Sequence, residues 1–129
     1  MTRNLGILSL ITAVCLQAGQ VASISHPGSI GTVYLAVLNQ LKKDGAEIES
    51  ASKDAGIKTA VTIHGHYRQT GSYLQVTFIS DSPAQTTVRV AAYEDKRYKA
   101  LTTEPWSTPK VNTRKSKAEA VKLKQELGW

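Results

Sequence analysis

Val61-Thr62-Ile63-His64-Gly65-His66-Tyr67-Arg68, then Gln69-Thr70-Gly71-Ser72, then Tyr73-Leu74-Gln75-Val76-Thr77-Phe78 is the stretch that decides the fold. Val61, Ile63, Gly65 and Tyr67 alternate with Thr62, His64, His66 and Arg68. Leu74, Val76 and Phe78 alternate with Tyr73, Gln75 and Thr77. A period of two sends successive side chains to opposite faces of a strand. Two such runs around the glycine-bearing segment 69–72 predict an antiparallel hairpin. Asp81-Ser82-Pro83-Ala84-Gln85 reads as the next turn, and Val88, Val90 and Ala92, alternating with Arg89 and Ala91, as a third strand.

Working back toward the amino terminus, His26-Pro27-Gly28-Ser29 is a breaker cluster, and Ser29 is placed to cap a helix that starts at Ile30. Ile30, Val33, Tyr34, Val37, Leu38 and Leu41 recur at steps of three and four, which gives one apolar helix face. Lys42 and Lys43 suit the negative end of the helix dipole, and Gly45 suits a left-handed cap. Ala46–Ser50 is a short extended candidate, and Ser52-Lys53-Asp54-Ala55-Gly56 reads as a turn of helix closed by glycine. Strands with one apolar face need a cover on that face only. The expected fold is therefore α+β, an antiparallel sheet of three to four strands covered on one face by an amphipathic helix, with a basic C-terminal helix.

The far end changes character. Residues 102–109 are irregular and proline-punctuated around Trp106. Ser116-Lys117-Ala118-Glu119 has the spacing of a capping box, and Ala120, Leu123 and Leu127 offer a narrow apolar stripe before Gly128. The chain divides into a leader at 1–23, an α+β domain at 24–101, and a Pro/Trp segment with a basic helix at 102–129.

The leader follows from charge and length. Arg3 precedes an uncharged apolar stretch of 12 residues, Leu5–Leu16, and then the polar, small segment 17–23 with Val21-Ala22-Ser23 as a cleavage site. This is the three-part secretory pattern, and the stretch is short against the roughly 20 residues that span a bilayer as helix. The expectation is an exported protein, periplasmic or secreted. A lipoprotein acylated at Cys15 is the minor alternative, because Val14 and Thr12 fit a lipobox poorly. Cys15 is the one cysteine, which excludes a disulfide-stapled scaffold and a cysteine-built zinc module.

Charge is uneven. Residues 1–95 carry seven basic and seven acidic side chains, whereas residues 96–129 carry nine basic and three acidic ones, the whole of the net +6. Lys110, Arg114, Lys115, Lys117, Lys122 and Lys124 are the candidate binding residues of this basic end. Such an end attracts anionic surfaces, namely lipid head groups, acidic glycans or nucleic acid. Nucleic acid ranks last, since few aromatics interleave with the cations and the leader directs the chain out of the cell. The competing account is a solvated helix face that serves solubility. Trp106, between Pro105 and Pro109, is a candidate aromatic anchor for a partner, against packing over a sheet edge.

His64-Gly65-His66 is the one ligand-like constellation. Residues two apart on a strand share a face, so both imidazoles could approach one Zn²⁺ or Cu²⁺. A site needs more ligands, and nothing in the spacing of Glu47, Glu49, Asp81 or Glu94 supplies them. Two polar residues on a solvated face is the competing account. No nucleophile elbow and no phosphate loop is present, so the sequence reads as a non-enzyme without a cofactor.

The segment Ala55–Ile79 resembles the sheet segment of bacterial envelope domains of the FlgO, LpoB and TolB amino-terminal type. Those share a short helix closed by glycine, a strand ending in Gly-x-Tyr, a glycine turn and a longer alternating strand, and the 35–44 helix resembles the helix that precedes their second strand. The similarity covers roughly half of the chain beyond residue 23. That family opens with an apolar strand before its first helix, which the reading above does not place here, and the Lys-rich end has no counterpart. The resemblance implies a non-catalytic accessory role in the envelope through contact with a protein partner, and it carries no catalytic residues. Two alternatives stay open: a small secreted metal-binding protein or enzyme using His64 and His66, and a secreted effector or inhibitor.

Overall fold

The computed structural model describes residues 14–16, 21–65, 68–98 and 109–129. Among them the elements run β1 (Val14–Leu16), β2 (Ala22–Pro27), α1 (Ile30–Lys43), β3 (Ile48–Ser52), β4 (Gly56–Thr59), β5 (Thr62–His64), β6 (Arg68–Ser82), β7 (Gln85–Tyr98), β8 (Lys110–Val111) and α2 (Thr113–Leu127). The fold class is α+β, with one antiparallel sheet covered by two helices.

The sheet has eight described strands, not three or four, in the order β1-β2-β7-β6-β4-β3. Its spine is the long β6–β7 hairpin, registered from Arg68↔Tyr98 to Ser82↔Gln85. β4 and β5 lie end to end along the free side of β6, and β2 and β8 end to end along the free side of β7. Four of the extra strands are two to four residues long, too short for their alternation to register in the sequence.

The register assigns faces. Ala22 and Ile24 of β2, Ile57 of β4, Val76 and Phe78 of β6, and Val88 and Val90 of β7 form one buried layer. Onto it pack Val33, Val37 and Leu41 of α1 and Ala120 and Leu123 of α2. Tyr34 meets Phe78 edge to face at 5.5 Å. The alternating apolar residues expected at 74–78 and 88–92 face this layer. Val61 and Ile63 do not: both are exposed, Ile63 because its pairing with Gly71 turns it to the face away from the helices.

Both helices end in the same way. Gly45 has φ 87°, the Gly45 amide donates to the Lys42 carbonyl, and the Ala46 amide donates to Leu41. Gly128 has φ 73°, with Gly128 N–H to Gln125 and Trp129 N–H to Lys124. This paired bonding satisfies the carbonyls of the last turn. Ser29 caps α1 as expected, its Oγ accepting from the Thr32 amide.

Four local expectations are corrected. Residues 52–56 are not a helical turn but the tip of the β3–β4 hairpin, where Ser52 Oγ accepts from Ala55 N–H and Gly56 takes φ 92°. The segment 69–72 is not a turn but continuous strand. Gly71 sits opposite Ile63 and Asp95, and its missing side chain makes room for Asp95 and Val61. The reversal instead follows β5, where Gly65 has φ 95°. Ser116 is not the cap of α2: Asn112 is, its Oδ1 accepting from the Lys115 amide. Ahead of α1, β2 pairs with β7 from Ala22↔Val90 to Pro27↔Gln85, where the sequence suggested only the end of a leader and a breaker.

Ser116 has a different task. β2 leaves β7 at Val90 and β8 joins it at Tyr93, so Ala92 has β6 on one side and no strand on the other. The first turn of α2 fills the gap. The Asn112 amide donates to the Ala92 carbonyl at 2.8 Å, and the Ala92 amide donates to Ser116 Oγ at 2.8 Å.

Candidate functional site

The side of the sheet away from the helices carries the odd-numbered residues of β6 and β7, Tyr73, Gln75, Thr77 and Ile79 beside Thr87, Arg89, Ala91 and Tyr93. No described element covers it. Strand alternation that drives Leu74, Val76 and Phe78 inward forces these side chains outward. Tyr73 and Tyr93 are direct cross-strand partners, and their rings stack at 5.1 Å with 12° between planes. The stack continues toward the sheet edge. Lys58 Nζ lies 4.8 Å from the Tyr73 ring centroid, and the same ammonium is 3.3 Å from Glu49 Oε2. A ladder Glu49–Lys58–Tyr73–Tyr93 therefore crosses three strand junctions, coupling an ion pair, a cation–π contact and an aromatic pair. Burial holds the Tyr73 phenol above the ordinary tyrosine range, with Tyr93, Asp95 and Glu49 acting in the same direction and Lys58 against it.

Next to Tyr93 the face is hollowed. Ala91 is the smallest side chain in its row, and around its methyl stand Val21, Gln75, Thr77, Arg89 and Tyr93, enclosing about 130 Å³. Arg89 forms no ion pair and no side-chain hydrogen bond among the described residues. Ser23, opposite Arg89 on β2, has its hydroxyl buried without a hydrogen-bond partner among the described residues.

A larger cleft of about 360 Å³ opens on the helix side, between the 45–47 loop, residues 59–62, residues 72–74 of β6, and Lys115 and Glu119 of α2. Ser72 and Thr59 are buried at its wall, and Thr59 Oγ1 accepts from the Leu74 amide at 2.8 Å. Lys115 reaches Glu94 at 3.9 Å, and Glu94 also accepts from Asn112 Nδ2 at 2.9 Å. Charges of both signs and free hydroxyls suit this cleft to hydrogen bonding.

The basic end is sorted by the helix. Arg114, Lys117, Val121 and Lys124 follow steps of three, four and three, so their side chains share one flank of α2. Lys115, Glu119, Lys122 and Glu126 form the other flank with alternating sign. There the Asp44 carboxyl at the end of α1, ahead of burial, pushes the Glu126 carboxyl up. Lys110 is exposed on β8, apart from both flanks. Of the six basic candidates, three therefore form one stripe of like charge. Arg114 and Lys117 are exposed and Lys124 half-buried, and none of the three is ion-paired among the described residues.

His64 is exposed at the last position of β5, and Gly65 turns the chain immediately after it. His66 and Trp106 lie outside the described residues. Among the described residues no three His, Cys, Asp or Glu side chains gather to hold a metal ion. His26 stacks on Trp129 at 3.8 Å with 15° between rings, and burial lowers its pKa. Among the described residues no helix is long and apolar enough to cross a membrane.

Sequence reasoning missed Tyr73, Tyr93, Lys58 and Arg89 as a group. Tyr73 and Arg89 were visible as outward positions of alternating strands, Lys58 and Tyr93 fell outside the strands read from the sequence, and only the register makes the four neighbours. Comparison with known families gives no matching family model, and no curated protein matches the chain at a significant level.

Proposed function

We propose that this chain is a non-catalytic contact module exported to the bacterial cell envelope, which engages its partner through the uncovered face of the sheet. One observation carries the reading. The packed apolar layer lies on the helix side, while the opposite face, on which Ser23, Gln69 and Ala91 are buried, presents a stacked tyrosine pair, an arginine with no acid among the described residues and the exposed Ile63 and Ile79. A face that contributes so little to the core is free to be shaped by what it touches. The Arg114–Lys117–Lys124 stripe supplies attraction to an anionic surface, and the export pattern of residues 1–23 together with the resemblance of residues 55–79 supports the envelope.

The test is fractionation of the full chain expressed in a bacterium, with mass analysis of the purified form. The expected result is a periplasmic or secreted product that begins after residue 20. A cytosolic product retaining Met1 overturns the envelope reading. Sedimentation with vesicles containing anionic lipid, at low and high salt, tests the stripe, and binding indifferent to salt overturns that part.

A further inference from the structure

We propose that the hollow over Ala91 is a subsite for one carboxylate-bearing ring of an acidic saccharide. The inference deepens the contact reading above and rests on the open face being the contact face.

Shape comes first. Ala91 places a methyl where its neighbours carry long side chains, so the hollow has an apolar floor, Ala91 with Val21 beside it. Its rim is polar: the Gln75 amide, the Thr77 hydroxyl and the Arg89 guanidinium. One wall is Tyr93, held upright by the Tyr73 stack at 5.1 Å. A pyranose ring has the complementary form, a patch of C–H groups bounded by an equatorial belt of hydroxyls. Its C–H patch lies against apolar floor and aromatic wall, and its hydroxyls meet donors and acceptors at the rim. The hollow, about 130 Å³, is on the scale of a single such ring.

Charge selects the ring. Arg89 brings five N–H donors in a planar fork and uses none of them on a described side chain. The buried Ser23 hydroxyl opposite it takes none either. Lys58, by contrast, is already neutralised by Glu49. The one unmatched cation of this face among the described side chains thus stands at the hollow, with the geometry that binds a carboxylate through two parallel hydrogen bonds. A neutral sugar would leave those donors unpaired. An acidic polypeptide would match the charge and leave the apolar floor and the tyrosine wall without a purpose.

The experiment titrates the full chain with a galacturonate trisaccharide, with neutral maltotriose and with hexaglutamate, following heat or amide chemical shifts. The variants are Arg89→Gln, Ala91→Leu and the double change Lys43→Gln with Lys53→Gln, two exposed lysines outside both proposed contact surfaces, each checked for an unchanged circular dichroism spectrum. Expected are saturable binding of the trisaccharide, a loss of about tenfold or more in Arg89→Gln from the missing charged hydrogen bonds, and a similar loss in Ala91→Leu. The lysine double variant should bind as the parent does, and maltotriose at least tenfold more weakly. Equal affinity for hexaglutamate overturns the saccharide and leaves an acidic polypeptide as the occupant. Absence of trisaccharide binding alongside salt-dependent vesicle binding overturns the subsite and leaves the contact module standing.

Discussion

Ser116→Ala isolates one hydrogen bond whose loss can be worked through atom by atom. Ser116 is fully buried; its Oγ donates to the Asn112 carbonyl and accepts from the Ala92 amide, both at 2.8 Å. Alanine fits the space, so no overpacking arises. The Asn112 carbonyl keeps a partner, since the Ser116 backbone amide also donates to it at 2.9 Å. The Ala92 amide loses its acceptor, and Ala92 is 1% exposed. A buried donor left unsatisfied costs about 1–3 kcal/mol. For a chain of this size that corresponds to a fall in Tm of roughly 3–5 °C per kcal/mol. Urea unfolding should show a lower midpoint at unchanged slope, because the surface exposed on unfolding is the same. Hydrogen exchange supplies the specific readout: the Ala92 amide should move from slow to fast while that of Val90 stays slow. A loss below about 0.5 kcal/mol with Ala92 still protected would refute the claim that the helix completes the bonding of β7.

Gly56→Ala should cost more than about 2 kcal/mol, because φ 92° disfavours any Cβ and the new methyl would collide with the Val76 carbonyl oxygen. Gly45→Ala, at φ 87° with open space around it, should cost only about 1 kcal/mol; equal losses by thermal melting would contradict this reading of the hairpin tip. His26 titrates below its ordinary value in the fold, so protons bind the unfolded chain more readily. Stability should therefore decline as pH falls through the unfolded value of about 6.5 and level off below the folded one. In His26→Phe that component of the pH profile should vanish. Removing Lys117 and Lys124 together by change to Gln should weaken binding to anionic vesicles by about 1 kcal/mol per charge, or roughly 30-fold in all. The same pair of changes at Lys115 and Lys122, which sit among glutamates, should do less.

Where sequence and fold agree, a long periodic element is responsible. The stripe from Ile30 to Leu41 spans three turns, and its end carries both lysines and a glycine, so α1 was legible to within two residues at its C-terminal end. Leu74, Val76 and Phe78 with Val88 and Val90 were legible because both strands are long and packed on one face. What stayed hidden had a rival reading of equal local quality. Ser23 and Ser25 beside Ile24 look like the tail of a leader until β7 is placed against them. Lys53-Asp54-Ala55-Gly56 ends a helix as naturally as it turns a hairpin, and only pairing of Ser52 with Gly56 decides. Gly71 looks like a turn residue because glycine's absent side chain serves close approach and reversal alike. At the candidate site, Tyr73 and Arg89 could each be read as outward, but their shared platform depends on a register of 14 cross-strand pairs that local sequence does not specify.

The closure of β7 by the first turn of α2 also orders events during synthesis. A ribosome delivers β2 long before β7, its partner in the sheet, and the final two apolar residues of the inner layer, Ala120 and Leu123, arrive only with the last helix. Until then the nascent chain holds an unfinished interior and an open strand edge at Ala92. That state is the one most exposed to chaperones and to misassociation. Commitment to the native state therefore waits for α2, and loss of that helix would strike folding together with the basic stripe that it carries.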